Sequence, residues 1–229
     1  MTDDLSGRLA LVTGASRGLG WALAQEAARR GAHVLALART IGALEELDDA
    51  IKAAGGAATL VPADVTDDPA LARLGAAIHE RWGRLDLWLH CAVHAPPLSP
   101  TAHAEAKDLD KALAVNARAT QRLIRALDPL LRAAPAGVAV LMDDAREEQA
   151  FFSAYAASKA AARVFWSAWA REAVKTPLRV LRALPPPMPT ATRARFYPGE
   201  DRAALADPAD VARRLLDAVA ARAPDPIAL

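Results

Sequence analysis

Tyr155 and Lys159 are the pair in this sequence best suited to moving a proton. Their four-residue spacing puts both on one face of a helix. A tyrosine alone, with a reference pKa of about 10, is a poor acid or base near neutrality. An ammonium beside it favours the tyrosinate and brings it toward working range. A second feature with chemical content lies near the N-terminus. Thr13-Gly14-Ala15-Ser16-Arg17-Gly18-Leu19-Gly20 joins an apolar run to a helical pattern. Glycines there permit a tight turn and close backbone approach to a pyrophosphate. The helix N-terminus adds N–H donors and a favourable dipole. The spacing is TGxxxGxG rather than GxGxxG, so its strand–turn–helix context carries the argument.

Short apolar runs alternate with longer helical segments along the chain. Strands are expected at Arg8–Thr13, His33–Ala38, Ala58–Pro62, Asp86–His90, Gly137–Met142 and Leu178–Leu184. Helices are expected at Gly18–Arg30, Ile41–Ala54, Asp67–Trp82, Ala106–Ala133, Phe152–Val174 and Asp207–Arg222. The strands show little polar alternation, which marks burial on both faces. The pattern predicts an α/β fold: a Rossmann-type, doubly wound parallel sheet in three layers, as a single domain over 1–229. Ser153 is the expected cap of the helix that carries Tyr155. Pro185-Pro186-Pro187-Met188-Pro189 cannot be helix or central strand. It predicts an extended loop at the carboxyl edge, opening a substrate lid over about 185–206.

The chain has 229 residues and a net charge of +1, with 24% charged and 53% hydrophobic residues. That balance gives no basic excess for nucleic acid. Met1-Thr2-Asp3-Asp4 is acidic and does not read as a secretory leader. There is no run of about 18 apolar residues to cross a membrane. The one cysteine, Cys91, excludes an intrachain disulfide framework and suits a reducing cytoplasm. A GxSxG elbow for hydrolysis is absent. His90, Cys91, His94 and His103 are close in sequence, but adjacent His90 and Cys91 point to opposite sides of a strand end. No metal site is expected from them. The partner expected is a small molecule.

Taken together, these pieces resemble the short-chain dehydrogenases/reductases along almost the whole chain. TGASRGLG matches that family's glycine motif unaltered, and Tyr155-Ala156-Ala157-Ser158-Lys159 matches its YxxxK. The resemblance implies that Asp64-Val65 contacts adenine and that Asn116 supports a proton relay. It implies that Lys159 also holds the nicotinamide ribose, while Tyr155 exchanges a proton with the substrate oxygen. Cys91 and Ala92, and Pro185, Met188 and Thr190, would line the cofactor. The activity implied is hydride transfer between a nicotinamide and a carbonyl or alcohol carbon. Relatives dimerise through two long helices, which implies a homodimer. The usual seventh strand is not expected here, and that puts the family's tetramer in doubt.

Strand two ends at Ala38, where an NAD enzyme usually carries a carboxylate for the ribose 2′-hydroxyl. Arg39 and Thr40 follow, and Arg39 with Arg17 could pair with a 2′-phosphate. NADP(H) is therefore expected over NAD(H). Two departures from the family stand out. Asn-Asn-Ala-Gly is His90-Cys91-Ala92-Val93 here, and Pro-Gly is Pro185-Pro186, so each loses a glycine. The family's catalytic serine is missing from Val140-Leu141-Met142-Asp143-Asp144-Ala145-Arg146. Asp143 is the expected occupant of its place, with Met142 and Asp144 as alternatives. An ionised carboxylate accepts hydrogen bonds but donates none. A second reading follows: a nucleotide-binding sensor or partner subunit without dehydrogenase activity.

Overall fold

In a computed structural model, residues 5–144, 146 and 149–229 are described. The acidic start, Met1–Asp4, lies outside them, as does Ala145. Among the described residues there are seven parallel strands: β1 (Leu9–Thr13), β2 (His33–Ala38), β3 (Ala57–Pro62), β4 (Leu87–His90), β5 (Val138–Met142), β6 (Arg179–Leu184) and β7 (Ile227–Ala228). Their order is β3-β2-β1-β4-β5-β6-β7. The order reverses between β1 and β4, which opens a crevice at the strands' carboxyl ends.

Alternate residues of each buried strand serve opposite layers, because successive side chains point to opposite faces. Ala10 and Val12 of β1 join a core with α1 (Gly18–Arg29), α2 (Ile41–Ala53) and α8 (Pro208–Ala220). Leu9 and Leu11 join a second core with α3 (Asp68–Trp82), α5 (Ala119–Ala133) and α6 (Ser153–Glu172). Trp88, Trp166 and Trp169 form the aromatic centre of that second core. The Trp88 and Trp166 rings lie 5.0 Å apart, and the Trp166 indole donates to the Leu181 carbonyl.

The structure departs from the sequence expectation at four places. A seventh strand exists: Ile227 and Ala228 pair parallel with Ala183 and Leu184. Two residues carry too little pattern to be recognised, and Arg182 anchors them by donating to Asp225. The helix expected at 106–133 is broken into α4 (Ala106–Ala112), a π-helical segment (Leu113–Arg118) and α5. Ser153 does not cap α6. Phe152 holds the cap position, and its ring, which has no group to cap with, packs against Phe196 at 4.9 Å. The proline loop is followed by α7 (Ala191–Phe196), capped by Thr190, whose hydroxyl accepts from the Arg193 amide.

The two faces of this layer give a direct test. Leu123 of α5 is fully buried, whereas Val164 of α6 is 68% exposed. Leu123→Ala is expected to cost about 2–5 kcal/mol of stability, and Val164→Ala to stay within about 0.5 kcal/mol. Denaturant unfolding of both variants measures this; equal losses would contradict the layer assignment.

Candidate active site

A cleft of about 440 Å³ opens where β1, β4, β5 and β6 end. Its floor is the glycine turn. Gly14 has φ +77°, and a Cβ there would sit 2.8 Å from the Ala92 nitrogen. A Cβ on Gly20 would meet the Gly14 carbonyl at 2.3 Å. Only glycine fits either place. The first residue flanking α1 is Arg17, and no side chain caps the helix. Its N-terminal amides therefore face the cleft without a side-chain acceptor, an arrangement that suits a phosphate. This cradle fits a dinucleotide.

Most of the residues expected at the site do line it. Ser16, Arg17, Gly18 and Leu19 form one rim. Arg39, Asp64 and Val65 line the end beyond β2 and β3. Cys91 and Ala92 form the wall after β4, and Pro185, Met188 and Thr190 the wall after β6. Thr40 does not line the cleft; it is exposed at the start of α2. Asn116 lies behind the wall rather than on it. Its side-chain oxygen accepts from the His94 amide at 2.7 Å, and its amide donates to the His94 carbonyl at 2.9 Å. It also donates to Ser158 Oγ at 2.8 Å, and Ser158 donates to the Tyr155 carbonyl. The π-helical turn around Asn116 brings it to this position, so Asn116 ties the post-β4 wall to α6.

His90 and Cys91 point apart. His90 is buried between Thr13 Oγ1 (2.7 Å) and Thr120 Oγ1 (2.9 Å) and stacks on Trp166. Thr120 donates its own proton to the Asn116 carbonyl. His90 Nε2 must therefore be the donor to Thr120, and Nδ1 the acceptor from Thr13. Burial lowers the His90 pKa to about 3, so the ring is neutral. Burial raises the Cys91 thiol to about 12.

Tyr155 and Lys159 both face the cleft and are buried. Lys159 Nζ donates to the Met142 carbonyl at 2.7 Å. Burial lowers its pKa, and Asp143 and Asp144 oppose that shift. The tyrosine does not behave as its spacing from Lys159 suggests. Its pKa is raised, first by burial and then by Asp144. The Tyr155 hydroxyl donates to Asp144 Oδ2 at 3.3 Å.

Met142, Asp143 and Asp144 all line the cleft, and of the two carboxylates it is Asp144, the alternative, that bonds the tyrosine. The Asp143 side chain is 1% exposed and accepts from Arg163 Nε at 2.7 Å, with Arg182 at 3.9 Å. It is held by α6 and β6, whereas the next residue meets the tyrosine. Consecutive residues leaving a strand point to opposite sides, and sequence alone did not fix which one faces inward. The sequence reading also missed four cations on the cleft lining, Lys111, Arg146, Arg193 and Arg195. Phe196, whose ring lies 4.9 Å from that of Tyr155, was missed too. The one available signal was the lid segment itself, which carries Arg193, Arg195 and Phe196.

A family profile described as short chain dehydrogenase matches residues 8–201. The chain belongs to the short-chain dehydrogenases. The fatty acyl-CoA reductase of Acinetobacter baylyi is 32% identical over 76% of this chain, which spans only 60% of that protein. The 3beta-hydroxysteroid dehydrogenase 1 of Eggerthella lenta is 33% identical over 89% of this chain and 80% of its own length. A short chain dehydrogenase of Escherichia coli CFT073, solved in complex with NADPH, is 31% identical and covers 100% of this chain and 98% of its own, with a TM-score of 0.91. Membership places the chain in an oxidoreductase family. Among the described residues, no helix is long and apolar enough to cross a membrane.

In this short-chain dehydrogenase, burial first and the Asp144 carboxylate second raise the pKa of the tyrosine hydroxyl. Two tyrosines occur in the chain, so Tyr197→Phe leaves Tyr155 as the one tyrosine to titrate. In that background Asp144→Asn is expected to lower the pH midpoint of tyrosinate absorbance, since an adjacent negative charge is removed. An unchanged midpoint would show that burial alone sets it.

Proposed function

We propose that the protein is an NADP(H)-dependent oxidoreductase acting on a small-molecule substrate at the Tyr155 end of the cleft. The observation that carries this reading is continuity. The uncapped, glycine-lined start of α1 and the Tyr155–Lys159 pair share one cleft. The glycine turn would hold the pyrophosphate, Asp64 and Val65 the adenine end, and Lys159 the nicotinamide ribose. When bound, the nicotinamide supplies or accepts a hydride. Tyr155 holds a proton at its hydroxyl beside the reacting atoms. Asn116 keeps the post-β4 wall and α6 in register through His94 and Ser158. Asp144 is the group that orients the tyrosine hydroxyl.

Preference for NADP(H) over NAD(H) rests on charge. β2 ends on Ala38, and Arg17 and Arg39 line the cleft. Arg39 is 64% exposed and lies 3.7 Å from Asp64, a loose pair that leaves it able to meet a 2′-phosphate. A homodimer through α5 and α6 suits the exposed Val164 and Phe165 on α6. A cytoplasmic setting rests on the single cysteine.

The Asp144 contact favours a second reading: a nucleotide-binding protein without turnover, since a carboxylate beside the tyrosine opposes its ionisation. Titration with NADPH and NADH, followed by a substrate panel on the same sample, separates the two. Turnover supports the first reading, and binding without turnover supports the second. Failure to bind either nucleotide rejects both. Arg39→Asp is expected to weaken NADPH binding by about tenfold, the scale of one charge-assisted hydrogen bond, and to leave NADH nearly unchanged. Equal losses for both nucleotides would remove Arg39 from the phosphate site.

A further inference from the structure

We infer that the substrate end of this cleft is built for a cationic carbon–nitrogen group, an iminium or its product amine, rather than a carbonyl. The inference rests on the oxidoreductase reading above and names its substrate class.

Both oxygens of Asp144 act as acceptors. Oδ1 takes the Arg146 Nε–H at 2.8 Å, and Oδ2 takes the Tyr155 hydroxyl at 3.3 Å. Each carboxylate oxygen has two lone pairs, so Oδ2 can accept one more donor. A substrate carbonyl placed there would set acceptor against acceptor, and a developing alkoxide would set charge against like charge. An iminium N–H reverses both terms: it donates, and its charge is compensated.

The charged groups that act on the Tyr155 hydroxyl are Asp144, then Arg146, then Asp143, and Asp143 is already paired with Arg163. Lys111, Lys159, Arg193 and Arg195 also line the cleft, and two of them are engaged. Lys159 donates to the Met142 carbonyl, and Arg193 is gripped by Glu200 at 2.7 and 2.5 Å. The Arg146 side chain is 25% exposed and also donates to Gln149. Two aromatic rings line the cleft here. Tyr155 and Phe196 meet edge to face at 4.9 Å, and such rings accept a cation on their π faces.

The step needs no proton from the tyrosine. A reduced nicotinamide gives a hydride to the iminium carbon and becomes oxidised. The C=N π electrons become the nitrogen lone pair, and the N–H proton stays where it was, leaving a neutral amine. A high tyrosine pKa, a handicap for protonating an alkoxide, costs this reaction nothing.

The test uses matched bicyclic probes and begins with binding. Calorimetry with the NADP-loaded full chain compares tetrahydroisoquinoline, a protonated amine, with neutral tetralone. The amine is expected to bind about tenfold tighter or more, the scale of a charge-assisted bond. Asp144→Asn, which keeps the shape and removes the charge, is expected to erase that difference. With NADPH, dihydroisoquinoline is expected to turn over faster than tetralone, and Asp144→Ser to reverse the order. Equal or tighter binding of tetralone by the wild-type chain overturns the inference, as does an amine preference that survives Asp144→Asn. The same samples report nucleotide binding. Its absence rejects the oxidoreductase reading and the imine step with it, whereas its presence without amine preference rejects the imine step alone.

Discussion

The cleft exists because two backbones approach more closely than any side chain allows. Gly14 ends β1 and Ala92 follows β4, and a Cβ on Gly14 would reach the Ala92 nitrogen at 2.8 Å. These strands flank the point where the sheet order reverses. The turn after β1 can therefore fold inward and start α1 directly beneath the wall that follows β4. Gly20 repeats the constraint one turn later against the Gly14 carbonyl. Substitution at either glycine would push the helix N-terminus away from the wall, and the anion cradle would lose its second side.

A second constraint fixes that wall to α6. The π-helical turn at Leu113–Arg118 places Asn116 so that it grips both the amide and the carbonyl of His94. Its third bond reaches Ser158, which lies between Tyr155 and Lys159 in sequence. A regular α-helix would rotate these bonds away from their partners. His90 sits behind this junction with both ring nitrogens satisfied by threonines, one of which also bonds the Asn116 carbonyl. The neutral ring thus links β1, β4 and the π-turn through uncharged hydrogen bonds, which a low-dielectric interior strengthens.

The fold was largely legible because its signals are periodic and local. Buried parallel strands read as unbroken apolar runs, and the glycine turn announces its own geometry. What escaped depended on tertiary contacts. β7 is two residues long and exists through Arg182 and Asp225 rather than through pattern. Ser153 has a capping residue type, but Phe152, packed against Phe196, holds the cap position. The break in the helix expected at 106–133 has no proline or glycine at 113–118 to mark it; the bonds of Asn116 hold it. Thr40 was placed at the nucleotide from its neighbours in sequence, yet α2 starts there and carries it outside the cleft.

The same distinction explains the carboxylate at the tyrosine. Both Asp143 and Asp144 follow β5, and composition cannot tell them apart. Partners can: Arg163 and Arg182 approach from α6 and β6 and draw Asp143 to their side. The Asp143 amide continues the ladder to the Ala183 carbonyl, and its Oδ1 accepts from the Asp144 amide. Asp143 is thus locked by both backbone and side chain, and Asp144 is left as the residue that can turn toward Tyr155. An ion pair beside the cleft in this way leaves the neighbouring carboxylate to meet the tyrosine. Replacing a hydroxyl by a carboxylate converts a donor into an acceptor and adds a charge. Arg146 supplies one complementary donor from the protein itself, and a ligand that brings another would find a free lone pair on the oxygen that meets Tyr155.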